Sequence, residues 1–193
     1  MKPLDSTDLS TLPPDLPKPI DDGAASHLQG LRLPSVPLLA TNGDTVDLST
    51  VAGLAIVFAY PRTGQPGQPP LVPDWDNIPG ARGCTPQACS FRDLMGELNQ
   101  FSARIFGLST QKTEYQQEAV ERLHLPFVLL SDSSLHLAHS LALPIHVVAG
   151  HILLKRLTWV QRNGVIDHVF YPVFPPDQAA HEVLEWLRQS VSG

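Results

Sequence analysis

Cysteine is almost absent from this sequence: there are two, Cys84 and Cys89, in 193 residues. That is too few for a disulfide-stapled secreted scaffold. Two thiols also fill only half of a four-ligand zinc site, and His136 and His139 lie far away in sequence. No metal and no cofactor is expected. Charge is scarce too, at 17% of residues against about 25% in ordinary globular chains. The balance is acidic, 13 Lys and Arg against 19 Asp and Glu, which argues against nucleic acid or an anionic membrane as the main partner. No apolar run reaches the roughly 18 residues of a membrane span. The N-terminus lacks the apolar core of a secretory signal, so the cytoplasm is the expected location.

Proline is what the chain has in excess, 19 residues, about twice the usual share of ~5%. Seven fall before residue 40 and seven between 61 and 86. The first group predicts a solvated or surface-draped extension over residues 1–29, ahead of one domain at 30–193. The second marks a long loop, residues 62–82, just before the cysteines. Loops of that length in compact domains are usually functional or disordered. Trp75 inside it predicts that the loop packs on something.

Hydrophobic content of 42% is enough for a core. Asn42-Gly43 between short apolar stretches predicts an N-terminal β-hairpin, and Asn163-Gly164 predicts a second hairpin joining strands 155–162 and 165–171. Strands are expected at 54–60, 104–109 and 127–131. Phe91, Leu94, Met95 and Leu98 carry the i, i+3, i+4, i+7 stripe of a helix. Thr113 with Gln116 predicts a capped helix start, residues 134–141 a short helix, and Ala180, Val183, Leu184, Leu187 and Val191 a closing one. The order hairpin, β, α, β, α, β, α, hairpin, α implies an α/β fold with a mixed central sheet flanked by helices.

The cysteines stand in Gly83-Cys-Thr-Pro-Gln-Ala-Cys-Ser-Phe-Arg-Asp93, a loop running into a helix. A thiol in the first helical turn meets unpaired N–H groups and the positive end of the dipole, which favour thiolate. A second thiol five residues on can react with whatever the first becomes. In an intact helix five residues give about 500° of rotation and about 7.5 Å of rise. The Cα atoms then lie beyond the ~7 Å limit for a bridge. A Cys84–Cys89 disulfide therefore requires the first turn to unwind, and Pro86 is compatible with that position. Arg82 is expected to be an exposed loop residue and Arg92 to pair with Asp93.

These residues resemble the Q-type peroxiredoxins, also called bacterioferritin comigratory proteins. The resemblance rests on Phe58-Ala-Tyr-Pro61, the Cys-x4-Cys stretch with Phe91-Arg-Asp93, Phe106-Gly-Leu-Ser-Thr110, Leu129-Leu-Ser-Asp132, Lys155-Arg-Leu-Thr-Trp-Val160 and Asn163-Gly-Val-Ile-Asp-His-Val-Phe170. It implies a thioredoxin-like fold and reduction of hydrogen peroxide and organic hydroperoxides. Cys84 would be the peroxidatic thiol, Cys89 the resolving thiol and Arg156 the active-site arginine. The implied reductant is thioredoxin or a similar dithiol protein, and the implied assembly a monomer or weak homodimer. One departure stands out. Where the family keeps a hydroxyl three residues before the reactive thiol, this chain has Ala81. About sixteen extra residues separate Pro61 from Cys84. Thr63 is the first candidate to supply the missing hydroxyl and Thr85 the second; Asp74 and Trp75 are candidates for a lid or wall of the peroxide pocket. A redox sensor that oxidises without rapid turnover is the alternative function, and a holdase role is neither supported nor excluded.

Overall fold

The computed structural model describes residues 8–191; residues 1–7 of the expected extension and 192–193 of the expected domain lie outside the described residues. Nine strands and five α-helices follow in order: β1 (Pro37–Ala40), β2 (Thr45–Asp47), β3 (Leu54–Ala59), α1 (Cys84–Asp93), α2 (Met95–Asn99), β4 (Arg104–Ser109), α3 (Thr113–Leu123), β5 (Val128–Ser131), α4 (His136–Ser140), β6 (Ile145–Val148), β7 (His151–Leu154), β8 (Leu157–Arg162), β9 (Val165–Phe170) and α5 (Ala179–Val191). Seven strands form one sheet in the order β2-β1-β5-β4-β3-β8-β9. The pairs β3–β4 and β4–β5 are parallel and the others antiparallel, so the sheet is mixed.

β3 is buried along its whole length because both faces of the sheet are covered. Ala55, Val57 and Ala59 enter one core with Leu108, Leu130, Leu137, Leu157 and Trp159. Leu54, Ile56 and Phe58 alternate into the other, against α1, α3 and α5. There the Phe58 ring stacks on Phe91 of α1 at 4.6 Å. Gly107 makes room for it: a Cβ at that position would run into Leu129 and stand 2.9 Å from Phe58. This stack fixes α1 against the sheet and so places its first residue, Cys84, at the end of β3.

Several local expectations are revised. The single helix expected to carry the stripe from Phe91 to Leu98 breaks at Leu94 (φ −95°, ψ 7°) into α1 and α2, with low-propensity Gly96 just beyond. α3 starts at Thr113, but its cap position is Lys112 and no side chain caps it. Gln116 instead turns inward, donating to Ser109 Oγ at 3.0 Å and to the Leu130 carbonyl at 2.7 Å. β8 starts at Leu157, which leaves Lys155 and Arg156 in the preceding connection. The β6–β7 hairpin was not expected. Its turn residues Ala149 and Gly150 both have positive φ (49° and 79°), the geometry that Asn163 and Gly164 adopt in the β8–β9 hairpin.

Residues 8–30 lie along the body of the fold. Ala25 and Leu28 are buried in the core, and His27 Nε2 donates to the Leu141 carbonyl at 2.8 Å. The loop ahead of α1 packs as its tryptophan predicted. Trp75 sits in a single 3-10 turn and is buried with Ala81, Val148 and Leu153, so the loop rests on the β6–β7 hairpin.

Candidate active site

Cys84 is the first residue of α1, after Gly83 in a left-handed conformation (φ 107°). Only glycine suits that corner. Beyond the unfavourable φ, a Cβ there would stand 2.5 Å from Pro176 Cγ and 3.0 Å from Leu12 Cδ2. Gln87 N–H closes the first turn onto the Gly83 carbonyl at 3.0 Å. The N–H groups of Cys84 and Thr85 have no intrahelical partner and lie at the sulfur's end of the helix, while Pro86 has no N–H to leave unpaired.

Arg156 approaches the same point from the connection between β7 and β8. It is only 2% exposed. Its Nη2 lies 3.3 Å from Cys84 Sγ and 3.1–3.2 Å from the carbonyls of Gly80, Ala81 and Arg82. Its Nη1 donates to Gln87 Oε1. The guanidinium thus holds the end of the long loop, the first turn of α1 and the sulfur together. Cys84 is itself 4% exposed, with Sγ 3.7 Å from the Ala81 carbonyl. A buried cation at hydrogen-bond distance from a sulfur at a helix N-terminus is matched to an anionic sulfur and to negative charge developing beside it.

Cys89 is on the same helix, half-buried, and both thiols are free. Burial pushes the Cys89 thiol up from its ordinary value, while the neighbouring Arg92 pulls the other way. Arg92 pairs with Asp93 at 2.8 Å and caps the Leu123 carbonyl of α3, the structural role expected of it.

Thr63 is buried (3% exposed) and held by Gln111, whose Oε1 accepts from Thr63 N and Oγ1 at 2.9 and 3.0 Å. Its hydroxyl proton is therefore committed to Gln111, but Thr63, Thr85 and Cys84 line one cavity of about 550 Å³. Asp74 and Trp75 line it as well. Ala81 is fully buried against Trp75, so the family's hydroxyl position is occupied here by apolar packing. Arg82 is not the exposed residue expected. Its side chain is only 10% exposed, lies 3.5 Å from Asp76 and donates to the Asp8 carbonyl.

Three residues were not legible beforehand. Gln87 and Gln111 are buried amides that orient Arg156 and Thr63, and a lone glutamine carries no sequence signal for that work. The third is Tyr60, buried at the end of β3, where burial raises its phenol well above the ordinary range, with the Ser109 hydroxyl opposing and the Cys84 sulfur adding to it. Among the described residues, no group of three or more His, Cys, Asp or Glu could hold a metal ion, and no helix is long and apolar enough to cross a membrane.

The Redoxin family profile matches residues 28–185. Peroxiredoxin Q, chloroplastic, from Oryza sativa subsp. japonica is 28% identical over 162 residues, covering 83% of this chain and 66% of the rice protein. The protein of the same name from Sedum lineare is 28% identical over 166 residues, covering 85% and 80%. The chain thus spans about two thirds of the length of the rice relative it matches. Among solved structures, peroxidoxin BcpB from Mycobacterium tuberculosis superposes with a TM-score of 0.67 at 25% identity, covering 83% of this chain and 96% of that one. PrxQ from Xylella fastidiosa gives a TM-score of 0.68 at 20% identity, over 84% and 96%.

Proposed function

We infer the function from the premise that this chain belongs to the Redoxin family, among its Q-type peroxiredoxins: it is a thiol-dependent peroxidase that reduces hydrogen peroxide and organic hydroperoxides. The observation that carries this reading is the Arg156 guanidinium 3.3 Å from a sulfur in the first turn of a helix, at a cavity. In this reading Cys84 attacks the terminal oxygen of the hydroperoxide as thiolate. An S–O bond forms, the O–O bond breaks, and the departing alkoxide or hydroxide takes a proton to leave as alcohol or water. Arg156 and the free amides of the first turn stabilise the charge that develops on the leaving oxygen. Cys84 is left as sulfenic acid. Cys89 condenses with it, releasing water and forming the intramolecular disulfide. Thioredoxin or a similar dithiol protein then reduces the bridge by exchange.

Cys84 and Cys89 lie at the first and sixth positions of one continuous helix, so the condensation step requires its first turn to open. Thr63 supplies the hydroxyl that Ala81 lacks, with the proton held by Gln111 leaving its oxygen as an acceptor toward the cavity. Residues 62–82 act as an insertion that walls the cavity, within a redox domain at 30–193 that follows the 1–29 extension. The working location proposed is the cytoplasm, and the assembly a monomer or weak homodimer without nucleic acid or membrane partners.

Stopped-flow consumption of hydrogen peroxide and cumene hydroperoxide by the reduced protein tests this. Cys84→Ser is expected to abolish consumption. Cys89→Ser is expected to keep the first turnover and lose the bridge, and Thr63→Val to slow the first step about tenfold, less than the 10²- to 10³-fold cost of a lost charge-stabilising donor because this oxygen only accepts. Peroxide consumption by Cys84→Ser at the wild-type rate rejects the assignment.

A further inference from the structure

The family match begins at residue 28, yet the chain ahead of it reaches the reactive sulfur's cavity. That arm is rooted at Ala25 and Leu28 in the core and pinned at Asp22, which pairs with Lys155 at 2.6 Å and accepts from the Tyr171 hydroxyl at 2.8 Å. From there it runs through Pro19, Pro17, Pro14 and Pro13, a composition that favours extended and semi-rigid chain. Pro19 faces Gly80, one of the carbonyls on Arg156. Leu12 packs on Gly83, the residue capping α1. Leu9 lines the Cys84 cavity and lies against Gly64, where an added Cβ would stand 3.1 Å from Leu9 Cδ2. Asp8 offers its carbonyl to Arg82. Every one of these contacts at the site falls on the corner 80–83 or on the loop wall beside it.

We propose that residues 8–19 are a strap belonging to the active site: docked, they wall the Cys84 cavity and brace the first turn of α1, and formation of the Cys84–Cys89 bridge releases them. The proposal rests on the redox reading of Cys84 and Cys89 given above. Its logic is geometric. The bridge cannot form across an intact helix, so Gly83 to Gln87 must move. Leu12 touches Gly83 itself and the Asp8 carbonyl holds its neighbour Arg82, so that motion breaks the first contact and pulls on the second. Conversely, a docked strap adds to the free energy of opening. It slows the condensation of Cys84 sulfenic acid with Cys89 and lengthens the life of the intermediate. The anchor at Asp22 and the root at Leu28 are remote from the moving turn, so release is confined to the distal part.

Chymotryptic cleavage at Leu9–Ser10 in the full-length protein reports the state of the strap, because Leu9 must leave the cavity wall to enter the protease. The bridge is made with diamide, whose N=N bond takes up the two electrons and two protons lost by the thiols. The test of the strap therefore does not depend on peroxide chemistry. Failure of peroxide to oxidise Cys84 would sink the peroxidase reading while leaving this experiment intact. Cleavage at Leu9–Ser10 is expected to be at least tenfold faster in the bridged protein than in the reduced one. In reduced Leu12→Ala it is expected to rise at least threefold over wild type. Equal cleavage in the two redox states, an equal rise at buried core sites, failure of diamide to bridge Cys84 and Cys89, or a wild-type rate in Leu12→Ala overturns the proposal.

Discussion

Two sulfurs share helix α1, and the protein treats its first residue and its middle differently. At the first residue, Cys84 is shut in at 4% exposure and held by a buried guanidinium that also gathers three loop carbonyls and Gln87. Five residues on, Cys89 is half-buried, its thiol raised by burial, with a surface Arg–Asp pair as neighbour. Sharing a helix therefore does not give the two sulfurs the same surroundings. At the helix start a buried cation faces the sulfur, whereas at mid-helix burial favours the neutral thiol.

The most damaging way to break that contrast is to remove the cation. Arg156→Met keeps much of the side chain's bulk but leaves the carbonyls of residues 80–82 and Gln87 without their donor. The second-order rate of the folded variant with hydrogen peroxide is expected to fall about 10²- to 10³-fold, the range for losing a preorganised charge-stabilising donor. Stopped-flow fluorescence measures it, with circular dichroism confirming the fold. A loss under threefold would show that Arg156 serves the loop rather than the sulfur.

A smaller effect is expected where the contrast depends on orientation. Gln87 is fully buried and accepts from Arg156 Nη1. Gln87→Met removes the acceptor and frees the guanidinium to drift toward the loop carbonyls, with an expected loss of about five- to tenfold in the peroxide step, under the full cost of losing the donor. Gln87→Glu retains the acceptor and is expected to recover most of the rate. Failure of glutamate to do better than methionine would reduce Gln87 to packing.

Much of this end of the molecule was legible in the sequence. β4 was expected at its observed bounds, because Arg104 followed by five apolar or small residues, between a loop and a hydroxyl-rich turn, admits few alternatives. Cys84 at a helix start followed from a glycine, a proline two residues on and the apolar stripe behind. Two hairpins with one turn geometry show where legibility stops. Asn163-Gly164 announces positive φ at both positions, since asparagine tolerates it; Ala149-Gly150 takes the same shape with an alanine that gives no hint. The arm hid for a different reason. Its prolines and polar residues look solvated, and nothing local says that Leu9 and Leu12 find partners 55 and 71 residues away, at Gly64 and Gly83. Gln87 and Gln111 were hidden likewise, because a buried amide's role is fixed by tertiary neighbours.

The mid-helix sulfur offers the finest test, through pH. Burial raises the Cys89 thiol in the folded state and Arg92 only partly opposes it, so the folded pKa stands above the unfolded one, about 8.5 for a free thiol. Below that value both states hold the proton and the contribution to stability is fully present. As pH rises past it, the unfolded chain gives up its proton first. Stability therefore declines through the window up to the raised folded value. Cys84→Ser removes the other thiol and prevents bridging, so urea midpoints measured on it between pH 7 and 10 isolate Cys89. They are expected to fall more steeply above about pH 8.5 than those of Cys84→Ser/Cys89→Ala, by less than one proton's worth of slope, since the thiol is only half-buried. Parallel curves for the two proteins would mean that Cys89 ionises as freely in the fold as outside it.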